Sequence, residues 1–180
     1  MTDNEITVVI DSDKAILRFP KCNMEIPAFI GKNGATADKK EGDNCTPIGK
    51  FSLGLLLGTH DKISNKNYDY LKINSNLFWV DDSNSRYYNE LVDITEVQKD
   101  WNSAEHLIDY PIQYEYLVEI KSNPLNIPNK GSAIFLHCSN NTATHGCIAI
   151  NKDDMEKLVN NIDKNTKINV LLWTIWKCSQ

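Results

Sequence analysis

Apolar and polar positions change in short, strand-like periods along most of this chain. Ile6-Thr7-Val8-Val9-Ile10 and Ala15-Ile16-Leu17-Arg18-Phe19 are β-branched or apolar runs separated by Asp11-Ser12-Asp13-Lys14, which predicts a hairpin. A third run, residues 25–30, stops at Gly31. Residues 32–44 are polar, contain glycine and show no period, so an exposed loop is expected there. Thr46-Pro47-Ile48-Gly49 presets a turn through its proline and opens the apolar run 51–57, a further strand. From 59 to 111, isolated aromatics sit among Asn, Asp and Ser without a clean period, and irregular structure is expected. Residues 114–120, 132–138, 147–150 and 167–173 read as strands.

One helix is signalled. Asn151 is placed to cap it, with Asp154 three residues on, and Met155, Leu158, Val159 and Ile162 repeat at i, i+3, i+4 and i+7, a stripe that should pack on a sheet. The pattern as a whole predicts a mainly β protein, a mainly antiparallel β-sandwich or barrel with one or two helices laid on it. Its 180 residues suit a single domain spanning 1–180, and 41% apolar residues suffice for one core.

Composition removes whole classes of partner. Net charge is −5 and only Arg18 and Arg86 among the 19 basic residues are arginines, whereas nucleic-acid binders concentrate Lys and Arg on one face. Nucleic acid is therefore not an expected partner. Apolar runs such as 53–57 fall far below the ~20 residues of a membrane-crossing helix, so no membrane span is expected in this chain. The five cysteines, Cys22, Cys45, Cys138, Cys147 and Cys178, form no CxxC pair and are read as thiols. The opening residues show no charged-then-apolar export signal.

Chemistry concentrates in His137-Cys138-Ser139-Asn140-Asn141-Thr142-Ala143-Thr144-His145-Gly146-Cys147, which holds two of the four histidines and two of the five cysteines. Three readings compete: a metal site, a cysteine nucleophile with its base, or coincidence in a strand-loop-strand unit. Strand alternation puts His137 on one face with Ala133 and Phe135, and Cys138 on the other with Ile134 and Leu136, toward the core. On the next strand Cys147 and Ala149 oppose the apolar face of Ile148 and Ile150. His137 and Cys147 can then meet on one side, while the adjacent His137 and Cys138 cannot both converge on a tetrahedral zinc if the segment is extended. A nucleophile needs a thiol, a base and backbone donors; Gly146 allows the sharp turn and close approach, and an imidazole beside the thiol should lower its pKa.

Thr144-His145-Gly146-Cys147, preceded by a histidine that closes a strand, resembles the catalytic signature of the L,D-transpeptidases, the YkuD-type domain. Gly31-Lys32-Asn33-Gly34, Glu41-Gly42-Asp43, Thr46-Pro47-Ile48-Gly49-Lys50-Phe51 and Gly131-Ser132-Ala133-Ile134-Phe135-Leu136-His137 resemble further segments of that family, over roughly residues 30–172. The resemblance implies an acyltransferase acting on peptidoglycan stem peptides without a cofactor or metal. It makes Cys147 the nucleophile and His137 the proton carrier, cutting between the third residue, a diamino acid, and D-alanine through a thioester to form 3→3 cross-links. It further implies an oxyanion hole from backbone N–H groups near His145, Gly146 and Cys147, substrate contacts that include Thr144, and a Cys138 carbonyl orienting His137. An L,D-carboxypeptidase using the same residues, a non-catalytic wall-binding module and a zinc-stabilised domain are the alternatives. A peptidoglycan substrate places the protein in the cell envelope or outside the cell. Only seven residues separate the two histidines, and Ala149 stands where the family commonly has Asn or Arg, two places after the cysteine. Outside the cluster, Trp79, Asp81, Asp82, Trp101 and His106 are candidates for a cleft wall, since loops often carry binding residues. Ordinary loop packing is the alternative. His106 is the possible substrate contact among them, Asp81-Asp82 a possible partner for a cationic side chain, and His60 a surface turn.

Overall fold

The computed structural model describes residues 3–12 and 14–174. Cys178, one of the five cysteines, lies outside the described residues, as does Trp176. In chain order the elements are β1 (Glu5–Asp11), β2 (Lys14–Phe19), β3 (Met24–Ala28), β4 (Ala35–Thr36), β5 (Thr46–Pro47), β6 (Gly49–Gly58), β7 (Tyr70–Lys72), β8 (Leu77–Val80), β9 (Leu91–Asp93), β10 (Ala104–His106), β11 (Tyr116–Ile120), β12 (Phe135–Cys138), β13 (Ile148–Ile150), α1 (Lys152–Val159) and β14 (Lys167–Leu172). Short 3₁₀ turns occupy Pro20–Cys22 and Leu107–Asp109. The fold is mainly β, as its patterning predicts.

The large sheet runs β13-β12-β11-β6-β14-β1-β2-β3, with β7 paired to β6. Most pairs are antiparallel; β1–β14, β12–β13, β6–β7 and the small β4–β5 ladder are parallel. The hairpin β1–β2 forms as expected, and β1 is buried along nearly its whole length because it lies mid-sheet between β14 and β2. The two ends of the sheet come together. Beyond β3, the Phe29 N–H donates to the Ala149 carbonyl at 2.8 Å and the Ala149 N–H to the Phe29 carbonyl at 2.9 Å. This bridge brings the end strands to a near-barrel and protects edges that would otherwise expose unpaired backbone.

Alternation along β6, β11 and β12 feeds two separate cores. Leu56, Val118, Leu136 and Cys138 face the main one, with Ile6, Val8, Leu17, Phe19 and Ile148, and α1 adds Met155, Leu158 and Val159. Asn151 sits at the N-cap of α1, but its side chain makes no capping hydrogen bond; the buried apolar stripe holds the helix instead. Leu57, Leu117 and Phe135 face the other way, toward Trp79, Leu107 and Tyr114.

That second face corrects the expectation of irregular structure over 59–111. Strands β10, β8 and β9 form a three-stranded antiparallel sheet there, each strand only three or four residues long, too short for a period to show in sequence. Trp79 anchors it, meeting Phe135 edge-to-face at 4.8 Å while its indole N–H donates to Asn89 Oδ1 at 3.2 Å. Strand β12 begins at Phe135 rather than at residue 132. Ala133 takes a left-handed φ of 51°, held as its N–H donates to Asn89 Oδ1 at 3.1 Å.

Candidate active site

Strand β12 and the connection 139–147 build a cleft of about 270 Å³ between the large sheet and the small one. Glu105, Tyr110, Gln113, Tyr114, His137 and Cys147 line it, together with Asn140 and residues 142–145 of the connection. The alternation read from sequence holds at this point: Cys138 is buried in the main core, His137 and Cys147 face the cleft. Adjacent His137 and Cys138 point apart, so they cannot converge on one ion.

The connection is fixed at both ends of its final turn. The Thr144 N–H donates to the Ile30 carbonyl and the Lys32 N–H to the Thr144 carbonyl, both at 2.9 Å, so the segment around Gly31 clamps the loop. Fully buried Thr46 accepts the Gly31 N–H at 2.9 Å and donates to the Cys147 carbonyl at 3.4 Å. Thr144 Oγ1 accepts the Gly146 N–H at 3.1 Å and donates to the Cys147 carbonyl at 2.6 Å. Gly146 has a φ of 136°, and a Cβ there would stand 3.1 Å from the Cys45 carbonyl and 3.2 Å from Ile134 Cδ1. A side chain is excluded twice, by conformation and by space.

These bonds sort the backbone donors. The Gly146 N–H is spent on Thr144, so it cannot also serve an oxyanion, and the Thr144 hydroxyl is committed to the turn. Among the described residues no hydrogen bond takes up the N–H of His145 or Cys147. The imidazole of His145 is exposed.

His137 is buried beneath the cleft, with Tyr114 edge-on at 5.7 Å. Its Nδ1 lies 2.8 Å from the Cys138 carbonyl, which can only accept, so Nδ1 carries the proton and Nε2 is left basic. Burial lowers its pKa below the ordinary 6.5, against the pull of that carbonyl, and the ring is neutral at pH 7. Cys147 Sγ donates to the Ala133 carbonyl at 3.2 Å and accepts the Phe135 N–H at 3.3 Å. No hydrogen bond among the described residues joins it to His137. Burial, then the charge of Glu105, pushes the thiol up to about 12, opposed by the Phe135 N–H and Lys39. A lowered thiol pKa was the expectation from sequence; the structure instead sets a neutral thiol in the same cleft as a neutral imidazole, because burial of the thiol and the charge of Glu105 disfavour the thiolate and burial of the ring disfavours the imidazolium.

The other expected residues lie elsewhere. His106 does not reach the cleft: it stacks on Phe78 at 4.3 Å, Nε2 lies 2.8 Å from the Ser75 carbonyl and Nδ1 3.1 Å from Asp109. Asp82 accepts the N–H groups of Asn84 and Asn102 in a turn, and Trp79 and Trp101 are core residues. Asp81 is not a lining residue either. His60 stacks on Tyr116 at 4.8 Å and meets Glu115 at 3.1 Å. What sequence reasoning missed is Glu105, the neighbour of His106. Period-two alternation along β10 finds it once that segment is known to be a strand: His106 pairs across to Phe78 and Glu105 to Trp79, on opposite faces. Glu105 accepts a hydrogen bond from the Tyr114 hydroxyl, and burial raises its carboxyl to about 7, with the charges of Asp81 and Glu41 adding.

Comparison with known proteins identifies the family. A search of curated proteins returns no match. Among solved structures, L,D-transpeptidase 1 of Mycobacterium tuberculosis matches with 16% identity and a TM-score of 0.38, over 93% of this chain and 60% of that one. The family model of YkuD, the L,D-transpeptidase catalytic domain, matches residues 2–170, nearly the whole sequence. The chain thus belongs to the YkuD family of L,D-transpeptidase catalytic domains.

Proposed function

We propose that residues 1–180 form one catalytic unit, a cysteine acyltransferase that opens the L,D bond between the third residue and D-alanine of a peptidoglycan stem. The observation that carries this reading is the sharing of one cleft by Cys147 and a His137 whose Nε2 is basic, beside the unspent N–H groups of His145 and Cys147. In the first step the thiol turns from Ala133 to His137 Nε2 and gives up its proton as sulfur attacks the carbonyl carbon. The two free N–H groups take the charge that grows on oxygen. Collapse breaks the carbon–nitrogen bond, and His137 returns the proton to the departing amine of D-alanine. An amine of a second stem then attacks the thioester, His137 accepts its proton, and the sulfur leaves as thiol, yielding a 3→3 link. Water in place of the amine gives a tripeptide, the L,D-carboxypeptidase outcome.

Because thiol and imidazole rest uncharged, proton transfer accompanies attack rather than preceding it. Cleavage of peptidoglycan stems places the working enzyme in the cell envelope or outside the cell. Mass spectrometry of a disaccharide-tetrapeptide incubated with wild-type protein and with Cys147→Ala tests the reading. Cys147-dependent loss of D-alanine is expected; dimers mark transpeptidation, tripeptide alone marks hydrolysis. Loss of D-alanine undiminished by Cys147→Ala, or none at all from folded wild-type protein, sinks it.

A further inference from the structure

The proposed chemistry uses Cys147, His137 and backbone, and leaves unexplained the one carboxyl among the residues that line the cleft, Glu105. Glu105 enters the cleft from the small sheet, facing the loop that carries Cys147. Its carboxyl is supported from one side by the Tyr114 hydroxyl, itself a lining group, which fixes the orientation of the acid inside the cleft. The rest of its surroundings suit no anion: Asp81 and Glu41 both bear on it electrostatically. Asp81 Oδ1 is in addition buried without a hydrogen-bond partner. A cation stands outside the lining, beside the turn that carries Cys147. The Lys39 ammonium, held by Asp43 and by the Lys40 carbonyl at 3.1 Å, lies 3.5 Å from where a Gly146 Cβ would stand.

We propose that Glu105 is a specificity-determining residue that selects an ammonium group carried by the molecule reacting at Cys147. This rests on the reading of Cys147 as nucleophile and deepens it by naming what the cleft demands of its substrate. A primary ammonium arriving there completes a charge-assisted hydrogen bond with a carboxylate that, among the described residues, has only the Tyr114 phenol for a hydrogen-bond partner. It also offsets the negative charge that opposes ionisation of Cys147. A cationic occupant therefore relieves part of the restraint on the thiol, whose larger cause is burial. Two sources offer this chemistry: the side-chain amine of the third residue of the donor stem, or the amine of the acceptor.

Two thiol reagents read the preference without any turnover. Methyl methanethiosulfonate is neutral and 2-aminoethyl methanethiosulfonate carries an ammonium; their rates at Cys147, followed by mass spectrometry, are compared with those of N-acetylcysteine in solution. In wild-type protein the aminoethyl-to-methyl ratio is expected to exceed that of the free thiol by about tenfold, the worth of one hydrogen bond to a charged group. Glu105→Gln, which keeps an acceptor for Tyr114, should bring the ratio back to the free-thiol value. A wild-type ratio equal to that of the free thiol overturns the proposal even if the variant does not fold. So does an unchanged ratio in a variant whose melting temperature matches wild type.

Peptides then separate the sources. Should Glu105→Gln erase a preference for Lys over norleucine at the third position in D-alanine release, the ammonium is the donor's. A fall in dimers relative to tripeptide with donor kinetics unchanged assigns it to the acceptor, and no change in either overturns the role in substrate selection. If wild-type protein releases no D-alanine from any peptide, the proposed reaction fails and the reagent ratio still decides the ammonium site.

Discussion

At the residue scale, Gly146 and Cys147 define what the turn permits. Replacing Gly146 by alanine forces a Cβ against the Cys45 carbonyl and Ile134 at a φ of 136°. The expected cost is about 1–3 kcal/mol of stability, since strain at a left-handed position is of that order. Denaturant titration measures it, and peptide turnover should fall as well, because the same turn aims the Cys147 N–H. The thiol carries a second expectation. With its pKa pushed up to about 12, Cys147 should alkylate more slowly at pH 7.5 than Cys45, although both are half-buried. Its rate should climb about tenfold per pH unit as the small thiolate fraction grows. Iodoacetamide labelling followed by peptide mass spectrometry gives both rates; a Cys147 that labels fastest, with a plateau near pH 7, contradicts the neutral resting pair.

At the element scale, the site depends on a loop clamped from a distance in sequence. Thr46 touches both the Gly31 N–H and the Cys147 carbonyl, so Thr46→Val keeps shape but strands a buried donor. An unsatisfied buried group costs about 1–3 kcal/mol, and the loss should appear both in urea unfolding and as faster amide exchange at Thr144, whose N–H is tied to Ile30 beside that clamp. How much of this was legible in the sequence follows from element length. Strands of five residues or more with apolar alternation, such as β1, β2, β6 and β14, declare themselves, and so do the opposed faces of His137 and Cys138, because alternation is a local property. Strands of three residues do not. β10 holds less than two periods, and without knowing it was a strand there was no reason to prefer Glu105 over the chemically more suggestive His106. The thiol pKa was illegible for a different reason: it depends on how deeply the whole fold buries Cys147, and burial is a sum over distant segments.

At the scale of the whole molecule, two groups of opposite habit in the cleft make stability depend on pH from both sides. His137 has a folded pKa below its ordinary 6.5, so the unfolded chain binds that proton more readily and stability is lost as pH falls below about 6.5. Glu105 has a folded value of about 7 against an ordinary 4.5, so the folded state holds a proton that the unfolded chain has released. Its effect runs the other way: stability is fully retained below 4.5 and declines as pH rises toward and past 7. The full difference corresponds to roughly 3 kcal/mol at pH 8, at about 1.4 kcal/mol per pH unit between the two values. Glu105→Gln removes this term while keeping an acceptor for Tyr114. The variant should therefore be stabilised relative to wild type at pH 8 and little changed at pH 4.5, as read from melting temperatures across that range. Equal stabilisation at both pH values would mean that packing rather than ionisation governs the residue. If stabilisation at high pH comes together with loss of ammonium selectivity at Cys147, the carboxylate costs the fold stability for what it does in the cleft, a trade expected of residues kept for function.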